Sequence, residues 1–220
     1  MSILVREHFA QKILDVKHNV LRMGALVENI IDMAVTSFKE QNLDLAREVI
    51  EKDDEIDQLE LEIEKDCIML LALQHPLAKD LRTIASALKI ITDLERMGDN
   101  AVNIAKVILE IGNEPITKPL VEITRMADIA QEMIKMSLDA FVNEDIALAE
   151  KAAKRDEEVD SLYETVINDI LNNITENKGL LKQGTKLLFL GRYLERIADH
   201  STNICERTIY MMTGELKEIN

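Results

Sequence analysis

The chain has no Trp and, in 220 residues, only three Tyr, four Phe, seven Gly, three Pro and two Cys. Each shortage excludes something. An all-β fold needs turn residues roughly every 8–12 positions, and so few Gly and Pro cannot supply them. Two cysteines make no disulfide framework; Cys67 and Cys205 fall on the apolar faces of predicted helices, where buried free thiols suit a reducing compartment. No window approaches the roughly 18 uncharged apolar residues of a membrane span. The N-terminal MSILVREHFAQKI lacks a basic region followed by an apolar run, so a soluble, cytoplasmic protein is expected, with docking beside a membrane protein left open. Basic residues are outnumbered. Against 41 Asp and Glu stand 26 Lys and Arg, and the resulting charge of -15 repels phosphate backbones. Nucleic acid is not an expected partner; cations and basic protein surfaces are.

The chain is rich in helical periodicity. A first helix is predicted from about Val5 to Gln41, with Val16, Val20, Met23, Val27, Ile30, Ala34 and Phe38 recurring at spacings of four and three. After a break at Asn42 and Leu43, a second runs from Asp44 to about Gln74, with Val49, Ile56, Leu59, Ile63, Cys67 and Leu70 on its seam. His75 and Pro76 interrupt it. A third starts at Pro76 or Leu77, passes Ile108 and stops at Gly112. Two of the three prolines lie in Ile111 to Pro119, which reads as a boundary between halves.

The second half repeats the first. The stretch LKIITDLERMGDNAVNIAKVI, Leu88 to Ile108, returns as LFLGRYLERIADHSTNICERT, Leu188 to Thr208. Leu94 to Ile104 matches Leu194 to Ile204 at six of eleven positions, where composition alone would give about one. At an offset of 103, Met23 to Asp57 aligns with Met126 to Asp160 at nine positions, Phe38 with Phe141 and Asp53 with Asp156 among them. The offset falls from 103 to 100 before the last helix, which places a three-residue deletion near Asn172 to Gly184. The expected fold is all-α: two repeated three-helix bundles, residues 1–112 and 120–220, joined by a linker at 113–119. Whether the bundles pack side by side or end to end stays open.

Most of the repeated residues in L-E-R-x-x-D-x-x-x-N-I are polar, and packing alone does not require that. On a helix Glu95, Asp99 and Asn103 form one slowly winding row at the margin of the apolar arc, and Glu195, Asp199 and Asn203 repeat it. The second helix of each half carries a matching pair, Asp53 with Asp57 and Asp156 with Asp160. Carboxylates four apart repel by about 0.2–0.5 kcal/mol when exposed, and far more when partly buried. Something should neutralise them. Arg96 and Arg196 are adjacent but point about 100° off the row. A metal ion held by carboxylates of two facing helices is the other candidate. An oxygen-only donor set suits magnesium, manganese, calcium or iron better than zinc. Without Glu-x-x-His pairs an oxygen-activating di-iron site is not expected.

The competing reading of all these acids is a solvated helix face, and recurrence argues against it, because other surface positions diverge: Glu60 and Glu64 correspond to Tyr163 and Ile167. His200 stands where the first half has Asn100 and points away from the row, so it reads as a surface or interface histidine. His8, His18 and His75 have no repeated partner. The methionines, Met23 and Met33 with Met126 and Met136, read as core. No phosphate loop and no nucleophile setting occurs.

The two L-E-R-x-x-D-x-x-x-N-I segments, with QHPLAKDLR at Gln74 to Arg82 and the DDEID and DEEVD segments, resemble the PhoU family over essentially the whole chain. That resemblance implies two three-helix bundles about a pseudo-twofold, each carrying metal ions or multinuclear metal clusters. The ligand motifs would be Asp53 with Asp57, Glu95 with Asp99, Asp156 with Asp160, and Glu195 with Asp199, the rows extended by Asn103 and Asn203. Iron comes first, with manganese, magnesium or zinc as alternatives. It further implies a non-enzymatic negative regulator of phosphate uptake and the phosphate-starvation response, working through the phosphate-specific ABC transporter and its sensor histidine kinase. Pairing into a homodimer is expected as well. A two-metal phosphohydrolase and a metal-free helical adaptor are the rival readings. The second half lacks a P-x-A-x-D-L-R segment, so the halves need not share partner surfaces.

Overall fold

The apolar seams become cores. Val16, Val20, Met23, Val27, Ile30, Ala34 and Phe38 are all buried, as are Val49, Ile56, Leu59, Ile63, Cys67 and Leu70. A computed structural model of the chain describes residues 3–74, 76–116 and 120–219. The described residues form seven α-helices: α1 Ile3–Glu40, α2 Leu43–Gln74, α3 Ala78–Ile111, α4 Leu120–Asn143, α5 Ile146–Ala153, α6 Asp156–Glu176 and α7 Leu181–Thr213. One 3₁₀ turn, Lys178–Leu180, precedes α7, and no strand occurs among the described residues.

The repeat extends to the breaks. Gln41 (φ 49°) and Glu144 (φ 58°) occupy equivalent left-handed positions after α1 and α4. Next to them the Asn42 and Asp145 side chains each accept from the backbone N–H three residues on, at 3.0 Å, capping α2 and α5. Gly112 (φ 65°) stops α3, as its lack of a Cβ permits. Leu77 is extended and α3 starts at Ala78. The predicted interruption at His75 and residues 117–119 of the linker lie outside the described residues.

The second half departs from the prediction of one continuous second helix. Between α5 and α6 the Arg155 N–H bonds to the Ala152 carbonyl, three residues back, at 3.1 Å, and this tighter turn breaks the helix. The Arg155 side chain pairs with Glu132 of α4 and Glu158 of α6. The break puts Asp156, Glu157 and Glu158 in the first turn of α6, where the helix dipole favours carboxylates.

The bundles lie side by side. Arg82 Nε donates to the Met211 carbonyl at 3.0 Å, Ser86 Oγ to the Arg207 carbonyl at 3.1 Å, and Asp93 meets His200 at 3.0 Å, so α3 and α7 run antiparallel in constant register. Combined with the 100-residue offset, that register puts a pseudo-twofold axis at about Met97 and Ile197, both fully buried. Pairs Lys17–Glu144 (2.9 Å) and Lys39–Asp128 (3.8 Å) set α1 antiparallel to α4. Helices α1, α3, α4 and α7 thus form the centre, with α2 on one flank and α5–α6 on the other.

Close approach at α1–α4 depends on Gly24, where an added Cβ would overlap Leu138 Cδ1. Leu138 is itself buried, so moving its side chain aside disturbs the packing around it. Gly24→Val should therefore cost about 1–3 kcal/mol by overpacking. For a chain of this size that lowers Tm by about 2–4 °C per kcal/mol in a thermal melt; an unchanged Tm would show that the helices can part freely.

Candidate metal sites

In the first bundle α2 packs on α3, and the two acid pairs meet. A Cβ on Gly98 would come within 2.9 Å of Asp53 Oδ1, so the missing side chain of Gly98 makes room for that carboxylate against α3. Burial, then repulsion from Asp57 and Asp99, pushes Asp53 up to about 6. Burial, then Asp99, Glu60 and Asp57, pushes Glu95 up to about 7. Asp57 is raised by burial and by Asp99. Lys106 beside Asp53 and Arg96 beside Glu95 act in the opposite direction without cancelling the rise. This is a concentration of negative charge that the protein leaves largely uncompensated.

Glu60 belongs to this group, although its divergence from Tyr163 gives it the look of ordinary surface. Thr92 Oγ1 donates to it at 3.2 Å, and burial with neighbouring carboxylates raises its pKa. Its spacing is a legible signal: Asp53, Asp57 and Glu60 follow one stripe of α2.

The second bundle brings the same elements together with different chemistry. Asp156, Asp160, Asp199 and Asn203 line an open groove of about 750 Å³, together with Glu206, Glu218 and one cation, Arg196. Glu195 is 9% exposed, and its Oε2 is buried without a hydrogen-bond partner. Burial and Asp199 raise its pKa, while Arg192, one turn earlier, donates to its Oε1 and opposes the rise. Asp160 is raised by burial and by Asp199. The arginine that pairs with Glu195 is thus Arg192 rather than Arg196; three positions before Glu195, it has the spacing of a same-face pair. The first half has Thr92 in its place.

Among the described residues, no three His, Cys, Asp or Glu side chains converge tightly enough to cage an ion as they stand. The donor chemistry nevertheless fits a cation. Burial and then crowding favour protonation of the first row, and the second leaves a buried carboxylate oxygen without a donor. Asn103 is partly buried beside its row. Asn203 lines the groove and also donates to Asp93 of α3 at 3.1 Å. His200 lies at the interface between bundles, 7% exposed, its Nδ1 3.0 Å from Asp93 Oδ1. Cys67 and Cys205 are free and fully buried, and burial pushes both thiols up to about 12, which makes them inert.

These features define a class: a helical protein built of two repeats side by side, each presenting a carboxylate row where its second and third helical positions meet. The PhoU domain family model matches residues 20–108 and 123–208. The chain belongs to the PhoU family. The phosphate-specific transport system accessory protein PhoU homolog of Clostridium acetobutylicum is 41% identical over 218 residues, 99% of this chain and 100% of that protein. That of Aquifex aeolicus is 41% identical over 202 residues, 92% of this chain and 91% of its own. Among solved structures, PhoU from Pseudomonas aeruginosa superposes with a TM-score of 0.91 at 35% identity, covering 94% of this chain and 100% of that one. The phosphate transport system regulatory protein PhoU from Streptococcus pneumoniae gives 0.86 at 32%, covering 95% and 99%.

Proposed function

We propose that this chain is a non-enzymatic accessory and regulatory protein of phosphate transport, a negative regulator whose two acidic rows bind cations. The observation that carries the reading is full-length similarity to proteins named as accessory to phosphate-specific transport, in a chain with a carboxylate row on each repeat. Asp53, Asp57, Glu95 and Asp99, with Asn103 and Glu60 beside them, would hold one ion or cluster. Asp156, Asp160, Glu195 and Asp199, with Asn203, would hold the other. A bound cation supplies positive charge that relieves crowded carboxylates and can bridge to inorganic phosphate, which a bare acidic face repels. The chain's own part is to fix the two rows on rigid helices and present them at the flanks of the molecule. Its partners in this reading are the phosphate-specific ABC transporter and a sensor histidine kinase. No described helix is long and apolar enough to cross a membrane, so contact with a transporter would be made by docking.

The test is complementation. Expressed in a bacterium lacking its own PhoU protein, the chain should restore repression of a phosphate-starvation reporter in phosphate-rich medium, and the purified protein should retain the transporter's ATP-binding subunit on a column. Chelation should weaken that retention. Absence of both repression and retention would overturn the reading; retention unaffected by chelation would remove the cation from it.

A further inference from the structure

The two rows are repeats of one another, yet among the described residues only the second is hydrogen-bonded by the opposite bundle. Asp93 projects from α3 into the α7 interface, where its Oδ1 accepts from Asn203 Nδ2 at 3.1 Å and lies 3.0 Å from His200 Nδ1. A carboxylate only accepts, and this fixes both partners. The Asn203 amide nitrogen must face Asp93, leaving Oδ1 to serve as an acceptor elsewhere. The His200 proton must sit on Nδ1, so the neutral ring keeps its lone pair on Nε2. Nε2 is buried and has no hydrogen-bond partner, and His200 lines the same groove as Asp156, Asp160, Asp199 and Asn203. Thr202, 5% exposed, also lines the groove and also leaves a buried oxygen unpartnered. Buried polar atoms are ordinarily satisfied, so an orphaned imidazole nitrogen and an orphaned hydroxyl beside a carboxylate row point to a ligand that takes them up.

The first bundle cannot copy this. The counterpart of His200 is Asn100, which has no imidazole to offer and whose Nδ2 donates to the Arg96 carbonyl of its own helix at 2.7 Å. The counterpart of Asp93 is Tyr193, a phenol in place of a carboxylate.

We infer that Asp93 is a positioning residue contributed by the first bundle to the second cation site, holding His200 to offer Nε2 and Asn203 to offer Oδ1. The second site then has a nitrogen donor that the first lacks. A carboxylate–histidine pair of this kind orients the ring and raises its basicity toward a metal. An imidazole among carboxylates favours a first-row transition cation, whereas the all-oxygen first row takes magnesium or manganese with less discrimination. Because Asp93 and its two partners sit on different bundles, the affinity of the second site depends on the contact between them.

This inference rests on the proposed cation binding, and the experiment separates the two. Full-length protein carrying Glu95→Gln and Asp99→Asn, which disable the first row, is titrated with Mn²⁺ and examined by pulsed EPR. Bound Mn²⁺ should show ¹⁴N coupling from imidazole, and His200→Asn, the residue already used at position 100, should abolish it. Asp93→Asn keeps the side-chain shape and should weaken Mn²⁺ at the second site by about 10–100-fold, the usual cost of losing an outer partner. In the complementary background, Glu195→Gln with Asp199→Asn, Asp93→Asn should leave first-row affinity within about twofold, since losing an outer partner weakens only a ligand that the partner touches. Melting no lower than the parent's shows that each variant keeps the fold. If Mn²⁺ binds both rows without ¹⁴N coupling, or Asp93→Asn leaves the second site unaffected, the inference is overturned while the cation reading stands. If Mn²⁺ binds neither row, both fall.

Discussion

Phe38→Ala should lower stability by about 3–5 kcal/mol, and Phe141→Ala by at least as much. The two rings are repeat equivalents, 1% and 0% exposed, and are among the largest fully buried side chains in the molecule. Truncation removes the transfer free energy of a whole ring and leaves a cavity that helices pinned on several sides cannot close. Phe141 carries an added charge contact: Lys17 Nζ lies 5.7 Å from its ring centre and 2.9 Å from Glu144. Lys17 is itself buried, so losing the ring also loses a desolvated cation–π contact. Antiparallel pairing of α1 with α4 puts Phe141 near Lys17, far along α1 from Phe38, so the two losses should add. In thermal melts each truncation should lower Tm by about 6–20 °C. A loss below about 1 kcal/mol at either position would mean that the site repacks, and that the bundle interior is less constrained than its burial implies.

That interior was largely legible in the chain. Spacings of three and four residues located the seams, and the matching breaks at Asn42 and Asp145 repeat down to the capping oxygen. What periodicity could not show was how one bundle lies on the other. Both seam faces of a central helix are apolar, and a helix buried on two sides has the same local pattern whichever partner covers it. The α5–α6 break was hidden for a related reason. AEKAAKRDEEVD is strongly helix-favouring, and the turn at Arg155 goes with ion pairs to Glu132 and Glu158, the first of them on another helix.

The candidate sites were legible as rows and not as neighbourhoods. Helical spacing put Glu95, Asp99, Asp53 and Asp57 on facing margins, and the structure couples them. Divergence between repeats was a poor guide to irrelevance. Glu60 differs from Tyr163, and Arg192 from Thr92, because the two sites differ in charge: one gains a carboxylate where the other gains a cation and a phenol. His200 does lie at an interface, but its anchor, Asp93, is 107 residues away on the other bundle and no local pattern announces it.

Raising the pH from about 5 to about 8 should lower the Tm of metal-free protein, and a divalent cation should restore it. In the unfolded chain Asp53 and Glu95 titrate near 3.8 and 4.5, whereas in the folded protein they are raised to about 6 and about 7. Between those limits the folded state holds more protons than the unfolded one, so stability falls as pH rises. The stabilising protonation is complete below the unfolded values and gone above about 7. Both groups are partly solvated, and screening reduces the combined effect to the order of 1 kcal/mol, or about 2–4 °C in Tm. A cation competes with those protons, so its affinity should climb through the same window. At about 100 times its Kd it should add about 2.7 kcal/mol, more than the pH loss removes. Asp53→Asn with Glu95→Gln isolates the source. The double variant should lose the decline between pH 5 and 8 and the first row's share of cation stabilisation, keeping only what the second row supplies. A Tm that rises with pH across this window would mean that the acids find cationic partners on folding. A cation that stabilises the double variant as much as the parent would place its site away from the first row.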